Sequence, residues 1–194
     1  MSDLHDHAVT TLEQLVAVIG EPSERTRTKV RPHLDDGDRD WLSASPLCFL
    51  ATSDSQGWCD VSPKGDPPGS LVLVLDDHTL ALAERPGNRR ADGYRNLLGN
   101  PHVGLVFVVP GRSDTLRING SARLVSDAPW FDALAVQGRR PVLGLLVTVQ
   151  EVFGHCAKSL VRAGVWHPDT WGASAPQVRQ REEGQVASYA LPLY

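Results

Sequence analysis

The sequence predicts a mainly β fold with flanking helices (α+β), arranged as a barrel rather than as a doubly wound parallel sheet. Apolar runs of strand length follow one another at short intervals, and turns rich in Asp, Gly and Pro separate them. Few helical stretches lie between these runs, so the chain lacks the strand-helix alternation of a parallel sheet. A chain of 194 residues with 41% hydrophobic content is long enough for one sizeable core. We therefore predict a single domain over residues 1–194.

The first predicted elements are helices, within a helical region over about residues 8–45. Residues 10–13 have the pattern of a capping box, and apolar residues follow at helical spacing up to Ile19, before Gly20. This pattern predicts a short amphipathic helix. A second helix is predicted over residues 38–44, with Asp38 as its N-cap.

Strand-length runs fill the middle of the chain. Residues 47–52 and 58–62 are separated by turn residues, which predicts a hairpin. The stretch from about residue 167 to 194 has no clear periodicity, and we predict an irregular C-terminal extension there. Further strands are predicted over residues 71–75, 79–83, 103–109, 115–125 and 143–155, and further helices over about residues 89–98 and 128–137.

Charge and cysteine usage exclude several classes of partner. The net charge is −4 and the pI is about 5.9, and no segment concentrates enough Lys and Arg to bind nucleic acid. No apolar stretch approaches the roughly 18 residues of a membrane span, and the N-terminus lacks the pattern of a signal peptide. We therefore expect a cytoplasmic protein that binds a small molecule. Cys48, Cys59 and Cys156 lack zinc-ligand spacing and are expected to be reduced thiols, with no metal site.

The stretch from Arg85 to Asp92 has the features of a phosphate site. Asn88 is a good N-cap, and the predicted helix behind it starts with Arg89 and Arg90. The free N–H groups of a first helical turn attract anions, and guanidinium groups donate paired hydrogen bonds to phosphate oxygens. The sequence therefore predicts that a phosphorylated small molecule binds here. From these eight residues alone, two solvated arginines at a helix start stay an alternative.

Five motifs follow one another along the chain: Ala51-Thr52-Ser53, Asp60-Val61-Ser62-Pro63-Lys64-Gly65, Arg85-Pro86-Gly87-Asn88-Arg89-Arg90, Asn100-Pro101-His102-Val103-Gly104-Leu105-Val106-Phe107 and Thr115-Leu116-Arg117-Ile118-Asn119-Gly120-Ser121-Ala122. Over about residues 32–166, their order resembles the pyridoxamine 5′-phosphate oxidase-related, FMN-binding split-barrel family. The later segment His155-Cys156-Ala157-Lys158 is similar to that of a branch of FMN-dependent enzymes in this family.

The resemblance implies an antiparallel split β-barrel that forms a homodimer, with two FMN molecules in clefts between the subunits. The family's phosphate grip falls on Asn88, Arg89 and Arg90, the same stretch that the chemistry of the residues indicates. Lys64, at the end of a strand that passes the flavin, is expected to stabilise the negative charge of the reduced ring. The residues expected along the ribityl chain and the ring are Asp60, Val61, Ser62, Pro63 and Lys64.

The resemblance also places Ala83 and Glu84 near the phosphate or the ribityl chain. Glu84 departs from the family pattern, because a carboxylate repels phosphate unless it turns away, here toward Arg85. Thr115 stands where the family has a glutamine that reaches the flavin from the neighbouring subunit. Threonine is shorter, and Arg117, two residues further on the same strand face, is expected to reach the cofactor or a substrate anion instead, or to form a cross-strand ion pair.

The region after the last predicted strand carries two cations and a tryptophan. Lys158 and Arg162 are four residues apart, so one helical turn would present both on one side. By resemblance, these two residues and Trp166 are expected to close the cleft over the flavin, whereas a core or interface role is the alternative for Trp166.

The function that the resemblance implies is that of an FMN-dependent oxidoreductase acting on an unidentified small molecule, with dioxygen or a reduced nicotinamide as possible partner. Vitamin B6 oxidation is not expected, because the chain does not end in the arginine-rich segments of true pyridoxamine-phosphate oxidases. No catalytic side chain is identified, since the flavin carries the chemistry. The alternatives are a non-catalytic flavin-binding or storage protein, a deazaflavin-dependent enzyme, and a haem-binding split barrel that uses His155.

Overall fold

The computed structural model of the chain describes residues 7–87, 89–156 and 158–170. The chain divides into two compact units between Val30 and Arg31. The N-terminal unit contains helices α1 (Leu12–Ile19) and α2 (Glu24–Thr28). The helix predicted over α1 is confirmed, but its capping box lies one residue further on, between Thr11 and Gln14. Helix α2 was not predicted and is only five residues long.

The second unit is built on one antiparallel sheet, in agreement with the mainly β prediction. The hydrogen-bonded order is β2-β1-β5-β6-β7-β4-β3, and each neighbouring pair is antiparallel. No ladder joins the outer strands β2 and β3 among the described residues, so the sheet is not closed as a full barrel would be. The seven strands are β1 (Leu47–Ser53), β2 (Cys59–Gly65), β3 (Val72–Asp76), β4 (Thr79–Ala83), β5 (His102–Val108), β6 (Asp114–Val125) and β7 (Gly144–Cys156).

Helices in this unit flank the sheet. Helix α3 begins earlier than predicted, because Asp35 is its N-cap and Asp38 is the reciprocal partner in a capping box. The helix predicted over residues 128–137 is instead a six-residue 3-10 helix. The helical elements are α3 (Asp36–Ala44), α4 (Asp92–Gly99), the 3-10 helix Pro129–Leu134, α5 (Lys158–Arg162) and a short 3-10 turn, Pro168–Thr170.

The main core lies on one face of the sheet, and a smaller cluster of Ala81, Ala83 and Leu134 lies on the opposite face of β4. Leu50, Leu105, Ile118 and Val152 are directly opposite one another on β1, β5, β6 and β7, and all four are buried. Helix α4 packs against this face through Tyr94 and Leu97, which are three residues apart and therefore share one side of the helix. This packing holds the start of α4 beside the ends of β2 and β4. In the part of the chain that the structure describes, no helix is both long and apolar enough to span a bilayer.

Candidate functional site

A cleft of about 810 Å³ opens between β2, the segment that follows β4 and the start of α4. Its volume is in the range of about 300–1,000 Å³ that is usual for small-molecule and cofactor sites. Pro46, Leu50 and Leu71 give it an apolar part. The charged side chains that line it are Asp60, Lys64, Asp66, Glu84, Arg85, Arg89, Arg90 and Asp92.

The outer end of the cleft is formed by the backbone that leads into α4. The helix begins at Asp92, so the predicted start at Arg89 is wrong. Arg89 (φ 63°) and Ala91 (φ 54°) have left-handed backbone conformations, which interrupt a helix. Ala91 occupies the N-cap position, and its methyl group cannot accept a hydrogen bond from the first turn. The predicted N-cap Asn88 lies outside the described residues.

Two arginines at this end differ in their surroundings. The exposed Arg89 forms no ion pair with any other described residue. Arg90 pairs with the carboxylate of Asp92, and this hydrogen bond raises the pKa of the guanidinium. An anion that enters the cleft thus meets the charge of Arg89 directly, whereas Asp92 competes for Arg90.

The floor of the cleft holds a cluster of Lys64, Glu84 and Tyr94. The Lys64 Nζ lies 3.0 Å from Glu84 Oε2 and 4.5 Å from the centre of the Tyr94 ring. The Tyr94 hydroxyl donates to the same carboxylate oxygen. Burial, and then the hydrogen bond and charge of Glu84, raise the pKa of Tyr94 well above its usual value, so the phenol stays neutral.

The expectation that Glu84 turns toward Arg85 is wrong, because Arg85 forms its ion pair with Asp66 and Glu84 forms one with Lys64. Arg85 Nε donates to Asp66 Oδ2 over 2.8 Å, and its Nη2 donates to the carbonyl oxygen of Leu134 over 2.9 Å. Both side chains of this ion pair are largely buried. Arg85 therefore ties one wall of the cleft to the 3-10 helix, which is a structural role.

Cys48 lies behind the cleft and is fully buried. Burial raises the pKa of its thiol to about 12, although the charge of Lys64 acts in the opposite direction. The thiol therefore stays protonated and unreactive. Cys59 and Cys156 are exposed, and all three cysteines are free, as the sequence predicts.

Most of the predicted cofactor residues on β2, after β4 and before α4 come together in this cleft. Val61 does not, since it lies on the opposite face of β2 with 64% of its surface exposed. The predicted residues that line the cleft are Asp60, Ser62, Pro63, Lys64, Ala83, Glu84, Arg89 and Arg90.

The predicted residues from β6 and the C-terminal region do not line this chain's cleft. Thr115 is buried, and its hydroxyl lies 3.4 Å from the carbonyl oxygen of His155. The guanidinium of Arg117 lies 5.1 Å from the centre of the Phe153 ring, and it does not form the alternative cross-strand ion pair with any described residue. Their role at a cofactor stays a prediction.

Helix α5 is the single turn that the sequence predicts, and it carries Lys158 and Arg162 as exposed side chains. The indole N–H of Trp166 donates to the carbonyl oxygen of Arg112 over 2.7 Å, which fixes the end of this segment to the turn between β5 and β6. Closure of a cleft by these three residues stays a prediction as well.

Tyr94 and Asp66 also line the cleft, although neither was predicted as a site residue. Tyr94 has an ordinary core signal, because it lies three residues before Leu97 on the buried side of α4. Asp66 follows β2 directly, and a carboxylate in a turn usually indicates a turn former rather than a buried partner for an arginine.

The sequence of the chain matches a known protein family. A family model described as pyridoxamine 5′-phosphate oxidase matches residues 34–156, which is more than half of the chain. The chain belongs to this family. The resemblance predicted from the five motifs is thereby confirmed. No curated protein has a sequence that matches the chain.

Among solved structures, one with a TM-score above 0.5 shares the fold of this member of the pyridoxamine 5′-phosphate oxidase family. HupZ from Group A Streptococcus is 22% identical, with a TM-score of 0.51 over 62% of this chain and 93% of its own. A proposed pyridoxamine 5′-phosphate oxidase from Lactobacillus delbrueckii is 23% identical, with a TM-score of 0.49 over 63% of this chain and 95% of its own. An F420 reductase is 19% identical, with a TM-score of 0.43 over 62% and 98%. At 22% identity, the similarity to HupZ concerns the fold alone.

Proposed function

We propose that the protein is an FMN-dependent oxidoreductase that acts on a small molecule other than pyridoxamine phosphate. The observation that supports this most is one cleft with a cationic outer end and a polar floor. Arg89 and Arg90 line the outer end, and Lys64 with its partners forms the floor. Family membership agrees with the proposal, because the five motifs that carry the resemblance supply these residues.

The residues present fit FMN in their chemistry. Arg89 has no ion pair among the described residues and would hold the phosphate, with Arg90 sharing its charge between the phosphate and Asp92. Ser62 and Lys64 lie on the cleft side of β2 and offer donors to the polar edge of a ring. FMN, when bound, supplies hydride and one-electron chemistry. The protein binds and orients it, and the apolar part of the cleft excludes water.

The cleft contains few side chains that are free to transfer a proton. Tyr94 is committed to Glu84, and Glu84 is paired with Lys64. This pairing is the observation that favours the second candidate, a flavin-binding protein without turnover. The two candidates differ in whether a donor such as NADH or NADPH reduces the bound flavin, and in whether dioxygen then reoxidises it.

We further propose that the protein acts as a homodimer through the outer face of its sheet. Pro63, Phe49, Val106, Arg117 and Phe153 are directly opposite one another across β2, β1, β5, β6 and β7. Four of these five residues are apolar and Phe49 is 38% exposed, so the row offers a partly exposed apolar surface. The Nε of Arg117 is buried without a hydrogen-bond partner among the described residues, and such a group usually has a partner in the functional state.

A second copy on this face would account for the predicted residues that do not line the cleft. Thr115, Arg117, Lys158, Arg162 and Trp166 would then belong to the neighbouring copy's site, as the family resemblance implies. Light scattering of the purified protein should give twice the mass of the 21.1 kDa chain. A monomer that holds one FMN per chain would contradict the shared site.

The test of the cofactor is a fluorescence-quenching titration with FMN and with riboflavin, which lacks the phosphate. FMN should bind far more tightly than riboflavin, because only FMN engages Arg89 and Arg90. Equal affinities for the two flavins would remove the phosphate site. Anaerobic mixing with NADH or NADPH, followed by air, then separates an oxidoreductase from a flavin-binding protein without turnover.

A further inference from the structure

The cluster at the cleft floor joins three parts of the chain. Lys64 comes from β2, Glu84 from the segment after β4, and Tyr94 from α4. One carboxylate oxygen of Glu84 accepts from both the ammonium and the phenol. The cluster therefore exists only in the folded chain, and the ammonium is held from two sides, by the carboxylate and by the face of the Tyr94 ring.

Burial makes the balance of charge in this cluster important. The side chains of Lys64 and Glu84 are only 21% and 29% exposed, and Tyr94 is buried. Charges that are partly removed from water interact more strongly than exposed ones, and loss of one partner leaves the other uncompensated. A protonated lysine, a carboxylate and a neutral phenol sum to zero, so the floor carries hydrogen-bond donors without net charge.

The two ends of the cleft therefore differ in charge. The exposed Arg89 forms no ion pair with another described residue, whereas Lys64 is neutralised. We propose that Glu84, together with Tyr94, is a positioning residue that fixes the Lys64 ammonium at the floor and cancels its charge. As a result, a ligand's phosphate is directed to Arg89, and its ring meets a neutral cluster. This inference rests on the proposed function, in which the ligand is FMN.

The experiment is a cycle of four proteins: wild type, Glu84→Gln, Lys64→Met and the double variant. Spectroelectrochemical titration measures the reduction potential of bound FMN in each. Glu84→Gln should shift the potential upward, because an uncompensated ammonium stabilises the added negative charge of the reduced flavin. Lys64→Met should shift it downward, and the double variant should lie near wild type. The control Glu24→Gln, an exposed glutamate of the N-terminal unit, should leave it unchanged.

Urea unfolding of the same four proteins without FMN tests the pairing by itself. The double variant should lose less stability than the two single variants lose in sum, because each single change leaves the other charge unpaired. If wild type does not bind FMN, the proposed function is wrong, and additive losses in this second cycle would then overturn the inference. If FMN binds but Glu84→Gln leaves the potential unchanged, Glu84 does not balance Lys64, and the inference is overturned alone.

Tyr94→Phe covers the case in which Glu84→Gln does not fold. It keeps the ring beside the ammonium and removes only the hydrogen bond that the hydroxyl donates to Glu84. The carboxylate then carries more uncompensated negative charge, so the potential should fall by less than in Lys64→Met. A potential equal to that of wild type would exclude Tyr94 from the positioning role.

Discussion

Replacement of Arg89 by alanine separates ligand binding from stability. The side chain is exposed and has no ion pair among the described residues, so its loss should leave the free energy of unfolding unchanged. In the complex it would donate to phosphate, and a charge-assisted hydrogen bond contributes about 1.5–3 kcal/mol. At about 1.4 kcal/mol per factor of ten, FMN should bind roughly 10- to 150-fold more weakly. Riboflavin should bind as it does to wild type.

The assay is flavin fluorescence quenching, with urea unfolding of the same sample as the stability measurement. Arg95→Ala is the matched control, because Arg95 is an exposed arginine of α4 that does not line the cleft. It should leave the affinity for FMN unchanged. Arg89 does not hold the phosphate if Arg89→Ala binds FMN as tightly as wild type, or if Arg95→Ala weakens binding to the same extent.

Three further outcomes are expected. Asp92→Asn should tighten FMN binding in the same titration, since a carboxylate no longer competes for Arg90; weaker binding would contradict this. Gly144→Ala should cost about 1–3 kcal/mol of stability in urea, because its Cβ would collide with Trp130. Cys48 should not react with a thiol reagent at pH 8, unlike the two exposed cysteines. Since its thiol pKa is raised from 9.0 to about 12 on folding, its contribution to stability should fall between those pH values.

The strands could be predicted from the sequence because apolar runs and turn residues mark them locally. Each predicted strand overlaps the observed one, and no end differs by more than three residues. Closure of the sheet could not be predicted this way, since it depends on whether the outer strands meet. The start of α3 was misplaced because Asp35, Asp36 and Asp38 all have the side chain of an N-cap, and only the fold selects Asp35.

The start of α4 was harder to predict from the sequence than the start of α3. Asn88 and the arginines behind it have the pattern of a helix start, but Arg89 and Ala91 adopt left-handed backbone conformations that neither residue type favours. Such conformations cost energy and persist only where the surrounding structure imposes them. The predicted phosphate residues still line the cleft, because the segment keeps its place between β4 and the core-packed part of α4.

The ion-pair partners of the charged residues in the cleft were the feature that the sequence predicted least well. Glu84 is adjacent to Arg85 in sequence, which suggested a local pair. The backbone instead directs Glu84 to Lys64, which is 20 residues away, and Arg85 to Asp66, which is 19 residues away. Such pairs depend on which strand ends come close together in the folded chain, and no local pattern encodes that.

The absorbance spectrum of freshly purified protein shows directly which cofactor the cleft binds. We expect flavin bands, and denaturation should release FMN, identified by mass, at one molecule per chain. A Soret band would indicate haem, and a deazaflavin spectrum would indicate the other cofactor class. Either result, or a colourless protein that binds riboflavin as tightly as added FMN, would contradict the assignment of the cleft to FMN.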